Sequence, residues 1–193
     1  MKKVLPTLIL LFAVQLVSRA EEPTLLHEKD YWNVYFQPEI VFTELNSDSA
    51  EFAGAEIGAS LNEHFDIGFT AHTLLNDVTL KVPGVPNPHE GEIWYMGVSL
   101  RKHFQPCKLV DASFRFFIGG GRIEVGNKTD GTDADTDFML FEPSFELGVN
   151  ITDRFVLGTR LGYRLADGSD SRLIEDKEFS NVSGAIFLRF DEF

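Results

Sequence analysis

A two-residue rhythm runs through most of this chain and restricts it to one kind of structure. Between residues 139 and 151 the odd positions read Met139, Phe141, Pro143, Phe145, Leu147, Val149 and Ile151. The even positions read Leu140, Glu142, Ser144, Glu146, Gly148 and Asn150. Successive side chains of a β-strand point to opposite faces, so one face of this segment is oily and the other carries carboxylates. The alternation recurs over 31–43, 52–62, 65–75, 92–101, 109–125, 155–165 and 182–190, which makes eight predicted strands with segment 139–151. Outside the leader, helical periodicity is confined to a short turn near 21–29, and neither a linker nor a repeat marks a second domain.

Residues 1–20 have the grammar of a secretory signal peptide. Lys2 and Lys3 precede an apolar run from Val4 to Val17, and Ser18-Arg19-Ala20 sets small residues before a cut. The run is short for a spanning helix. The expected organisation is a leader over 1–20 and one barrel domain over 21–193. Cleavage takes the formal net charge from −13 to near −16, which argues against a nucleic-acid partner. Cys107 is the only cysteine, so no internal disulfide holds the fold. No other apolar stretch is long enough to cross a bilayer as a helix. A membrane form of this chain must therefore be a closed sheet, in which every backbone polar group is paired.

Period two alone leaves two barrels open. A soluble lipocalin-like binder turns its apolar face inward, and a membrane barrel turns it outward. Volume decides. The apolar faces hold roughly forty side chains, and the interior of an eight-stranded barrel is only just filled by side chains. The opposite face is rich in glycine and carries Glu39, Glu56, Glu142 and Glu146 with Arg115, Arg160, Arg164 and Arg189. These eight are expected to form a polar network within the lumen, where pairing makes buried charge tolerable. The connections support the same choice. Segments 62–64, 101–108 and 152–154 are the shorter ones, and 45–51, 76–90, 127–137 and 166–178 are longer and polar. Alternate short turns and long loops are the order of an up-and-down transmembrane barrel.

Three irregularities carry expectations of their own. The parity of strand 109–125 changes across Gly119-Gly120-Gly121, after which Ile123 and Val125 oppose Arg122 and Glu124, and this predicts a glycine bulge. Pro38 and Pro143 fall inside strands of a barrel that has no free edge, which predicts local bulges or strand ends. In the last strand Ile186, Leu188 and Phe190 alternate, but Arg189, Asp191 and the terminal Phe193 leave its final register open.

The leader, the eight alternating strands and the ending Ile186-Phe187-Leu188-Arg189-Phe190-Asp191-Glu192-Phe193 together resemble the small eight-stranded outer-membrane barrels. That family includes the OmpA and OmpX transmembrane domains and the opacity-type surface proteins. The resemblance is architectural and covers the whole mature chain. It implies an all-β, antiparallel, up-and-down barrel in the outer membrane of a Gram-negative-type cell. It also implies Phe190 and Phe193 as the signal read by the barrel-assembly machinery. Outer-membrane lipid and lipopolysaccharide become the expected surroundings, and the exposed loops the place for a surface ligand. Trp32, Phe42, Phe65, Trp94, Phe155, Tyr163 and Phe190 are candidates for the aromatic girdles at the lipid boundaries.

Little in the sequence speaks for catalysis. His72 lies on the lumen face without a clearly aligned serine or cysteine, so it reads as structural, and no cofactor is expected. The loop 127–137 clusters Asp130, Asp133, Asp135 and Asp137, whose oxygens suit a hard cation, although the spacing lacks the glycine and distal glutamate of an EF-hand. A solvated acidic loop is the stronger reading. The expected role is structural or surface-contact and non-enzymatic. Rivals are a narrow OmpW-like channel, a lipid-modifying enzyme and a soluble lipocalin-like binder.

Overall fold

The computed structural model describes residues 31–45, 48–76, 78–80, 89–104, 109–126, 133–152, 154–167 and 180–191. The leader expected over 1–20 and Phe193 lie outside the described residues.

The described residues form ten strands: β1 (Trp32–Leu45), β2 (Asp48–Leu61), β3 (Phe65–Leu74), β4 (Thr79–Leu80), β5 (His89–His103), β6 (Val110–Gly126), β7 (Asp133–Thr152), β8 (Phe155–Tyr163), β9 (Leu165–Asp167) and β10 (Val182–Asp191). β4 is a short ribbon on the end of β5, and β9 resumes the pairing with β7 that β8 leaves after Gly162. Eight barrel strands therefore stand where eight alternating segments were read. Neighbours pair antiparallel in chain order, β10 pairs with β1, and the ring is complete.

The register fixes the barrel's shape. Stepping across the ladders from Leu147 to Thr159, Ile186, Ile40, Ala53, Thr73, Trp94 and Arg122 returns to β7 at Asp137, ten residues from the start. A stagger of that size over eight strands tilts them by roughly 40–45° and leaves an interior that side chains can fill.

The oily faces point outward. Ile57, Ile67, Phe69, Leu147, Leu161 and Ile186 lie on the outer surface, Leu161 with 66% of its area exposed. A soluble lipocalin-like barrel is ruled out by this face. The aromatic residues sort toward two levels. Trp32, Phe65, Phe155 and Phe190 lie beside the short turns, where Phe155 and Phe190 have ring centroids 5.2 Å apart. Phe42, Trp94 and Tyr163 lie toward the long loops. β6 and β7, at 17 and 20 residues, exceed the roughly 9–11 that a tilted strand needs to cross a bilayer.

The expected glycine bulge is absent. β6 keeps one register with β7 from Val110 to Gly126, and Ile123 is fully buried inside the barrel. The parity never changes; the chemistry of the inward face does. Toward the long loops the lumen is apolar, built from Val41, Leu45, Phe52, Val78, Ile93, Tyr95, Phe117, Ile123, Phe138 and Leu140. Gly119 makes room for one of these rings, because a Cβ there would stand 2.5 Å from Phe117 Cζ. Segment 45–51, expected as a long loop, is a hairpin in which Leu45 faces Asp48. Segment 127–137 is likewise shorter than expected, because β7 begins at Asp133.

Both strand prolines sit at lapses in a ladder. Between β1 and β10 the pairing breaks at Gln37 and Pro38 and resumes at Glu39, while the β1–β2 ladder stays whole through Pro38. Between β7 and the β8–β9 strand the pairing breaks opposite Glu142 and Pro143. A residue without an N–H is accommodated where its neighbour has let go. The last strand shows no slip. It stays in register through Phe190 opposite Phe155 and Asp191 opposite Tyr35, with Arg189 directed inward.

Candidate functional site

The lumen from mid-height down to the short turns holds the titratable chemistry. Its position follows from parity: on each strand the residues between lipid-facing ones point inward, and glycine and serine at several of those positions leave space for long side chains. Five carboxylates (Glu39, Glu56, Asp66, Glu142 and Glu146) and five guanidiniums (Arg101, Arg115, Arg160, Arg164 and Arg189) are buried there. All eight residues expected in the lumen network belong to it.

Glu56 on β2 is the hub. Its Oε1 accepts from Tyr35 OH at 2.6 Å and from Arg101 Nη2 at 3.1 Å. Its Oε2 accepts from Thr70 Oγ1 at 2.9 Å and from Arg115 Nη2 at 2.8 Å and Nε at 3.0 Å. Glu39 on β1 takes Arg160 in a two-pronged contact, both bonds 2.9 Å, and meets His72 Nε2 at 2.7 Å. Glu146 on β7 accepts from Arg101 Nε at 2.6 Å and from Arg160 Nη1 at 3.4 Å. Glu142 holds Arg164 Nε at 2.7 Å, and Arg164 Nη2 donates to Tyr95 OH at 2.5 Å. Bidentate and charge-assisted bonds of this kind satisfy most of the donors that burial would otherwise leave bare.

Sequence reasoning missed two of the strongest members. Arg101 bonds Glu56, Glu146 and Asp66, the last at 2.8 Å, yet it was read as the start of a connection. Its parity with Ser99, two residues earlier on β5, was the available signal. Tyr35 shares a face with Gln37 and Glu39, and that parity was the signal for it. His72 lies in the lumen as expected, stacked on Tyr95 with centroids 4.6 Å apart.

A cavity of about 710 Å³ opens below the network at the short-turn end, lined by Gln37, Arg101, His103, Asp111, Glu146 and Arg189 among others. Above the network the rings of Phe52, Tyr95 and Phe117 pack edge to face, with centroids 5.3 and 6.0 Å apart. Among the described residues the lumen is thus filled at mid-height and open on one side.

Of the acidic-loop candidates, Asp137 is exposed and pairs with Arg122 Nε at 2.8 Å. Asp130 and the side chains of Asp133 and Asp135 lie outside the described residues. Among the described residues no group of three His, Cys, Asp or Glu side chains is gathered for a metal ion.

No protein-family model and no curated protein matches the sequence. Solved structures do match in shape. Neisserial surface protein A superposes with a TM-score of 0.60 at 13% identity, covering 84% of this chain and 99% of that one. The chain has the fold of the small eight-stranded outer-membrane β-barrels. The N-terminal β-barrel domain of Pseudomonas aeruginosa OprF matches at 0.53 and 11% identity, over 81% and 96% of the two chains. Ail, the attachment invasion locus protein of Yersinia pestis, solved in complex with the heparin analogue sucrose octasulfate, matches at 0.54 and 11% identity, over 85% and 98%. In an outer-membrane barrel the lipid-facing belt and the charged lumen found here are the required arrangement of faces.

Proposed function

We propose that this protein is a surface-contact barrel of the outer membrane, non-enzymatic, with its activity in the loops and its lumen serving as a strut. The observation that carries this reading is the filling of the lumen. Five carboxylates lock five guanidiniums across its middle, and an aromatic cluster lies between them and the long-loop end. A conduit needs water along its axis; here the axis is occupied by side chains that bond or pack against one another. Neighbours such as Ail, whose full name is an attachment invasion locus protein, support a surface role by analogy of fold. A sulfated ligand like the one in that structure would meet a chain of formal net charge −13, so neutral or basic surfaces are the better match here.

Two measurements test the reading together. In planar bilayers the purified barrel is expected to leave the membrane electrically silent; reproducible stepwise conductance would replace the strut with a channel. On intact cells, an epitope inserted within 168–179 is expected to bind antibody, and one within 105–108 only after permeabilisation. Deleting 168–179 should lower cell attachment while heat-dependent gel migration of the folded barrel persists. Unchanged attachment on removing each long loop in turn would sink the surface-contact role.

A further inference from the structure

His103 is the last residue of β5, on the inward face at the short-turn mouth, and both of its ring nitrogens meet carboxylates. Nδ1 contacts Asp111 Oδ2 on β6, and Nε2 contacts Asp66 Oδ2 on β3 at 3.0 Å. A neutral imidazole has one N–H and one lone pair. It can donate to one carboxylate, but its other nitrogen then faces an anionic oxygen with no proton between them. The pairing is attractive on both sides when the ring is an imidazolium, or when one carboxyl holds the second proton. Asp66 is a poor place for that proton, because Arg101 Nη1 at 2.8 Å and Arg189 Nη1 also bond its Oδ2.

We propose that His103 is a protonated latch that ties the short-turn mouth of the barrel together and lets go when it loses its proton. The contacts it joins come from four strands. Asp66 belongs to β3, His103 and Arg101 to β5, Asp111 to β6, and Arg189 to β10; Arg189 is itself anchored to Asp191 by a 2.8 Å bond from Nε. Other charged groups around the same cavity are Glu146 on β7, Glu63 in the β2–β3 turn and Arg154 in the β7–β8 turn. Arg101, Arg154 and Arg189 oppose the imidazolium, and Asp66, Asp111, Asp191, Glu63 and Glu146 favour it. The direct contacts are to carboxylates. Mouth stability from this latch is therefore full where His103 is charged and falls as pH rises through its titration.

The intact barrel in detergent micelles supplies the test. Ring-nitrogen NMR of the wild-type protein, with His103 assigned by its absence in His103→Asn, is expected to show both nitrogens protonated at pH 6. A single-tautomer neutral pattern there would overturn the proposal. Unfolding rates should rise roughly tenfold between pH 6 and pH 9 in wild type, the ratio that accompanies loss of about one charge-assisted bond. In Asp111→Asn the amide donates to a neutral imidazole, and the same interval should change the rate less than about twofold. An undiminished pH response in that variant, or in His103→Asn, would assign the dependence to another group and defeat the latch.

Discussion

Beside the short turns, Arg101 reaches three carboxylates from three different strands. Beside the long loops, Phe52, Phe117, Phe138 and Ile123 fill the same cylinder, and charge meets them only at their lower edge, where Arg164 lies over Phe52 and Arg115 over Phe117. Both halves are buried and both are built on an unbroken inward parity. The difference is in how each tolerates error. A hydrophobic cluster loses what it loses when one member is trimmed. An ionic network leaves the partner behind as a buried uncompensated charge, which adds a penalty that a void does not carry. The charged half is thus rigid by mutual dependence, and the apolar half by packing.

The comparison is broken most directly at its hub. Glu56→Ala removes the acceptor for Tyr35, Thr70, Arg101 and Arg115 at once. The expected loss is about 3–5 kcal/mol, the range seen when one side of a buried ion pair is deleted. Denaturant unfolding in micelles reads it. A loss under about 1 kcal/mol would mean that water reaches the guanidiniums freely and that the two halves do not differ in kind.

The apolar half is probed by Ile123→Ala, expected to cost about 2–4 kcal/mol through lost burial and a residual cavity. The same unfolding assay checks it, and Ile123→Val should recover most of the loss. Position 123 also decides between the two readings of β6. An outward Ile123 would leave no cavity, since lipid would fill the space.

The history of that residue shows what the sequence holds and what it hides. Alternation separated eight strands into two faces, and the volume of the apolar faces put the belt outside and all eight of the named charged residues in the lumen. It misread Ile123 because polarity was used as the mark of an inward residue, and the lumen changes polarity with depth. Depth is set by the ten-residue stagger of the closed ring, a property of pairings between strands far apart in sequence. Arg101 was lost for a related reason. A charged residue at a strand end looks like the start of a loop until the neighbouring β3 sets Asp66 directly opposite it and β2 beyond brings Glu56 within reach. The lapses at Pro38 and Pro143 were legible as places of trouble, but the side on which the ladder gives way depends on the partner strands.

The smallest expected effect sharpens the boundary of the charged half. Phe187 is an aromatic residue among ions: it is 4% exposed and lines the cavity at the short-turn end. Gly158 lies opposite it in register on β8, and a Cβ at that glycine would stand 2.1 Å from Phe187 Cζ. The ring therefore lies across the glycine backbone, and Gly158→Ala forces it to move. Overpacking of this sort costs about 1–3 kcal/mol. Phe187 also lines the cavity, so the ring has volume beside it to move into, which argues for the lower part of that range. Phe187→Leu should remove most of the penalty in the double variant while costing stability alone, so a thermodynamic cycle between the two positions should show strong coupling. Additive losses would mean that the ring has another resting place, and that the floor of the charged half is looser than the network above it.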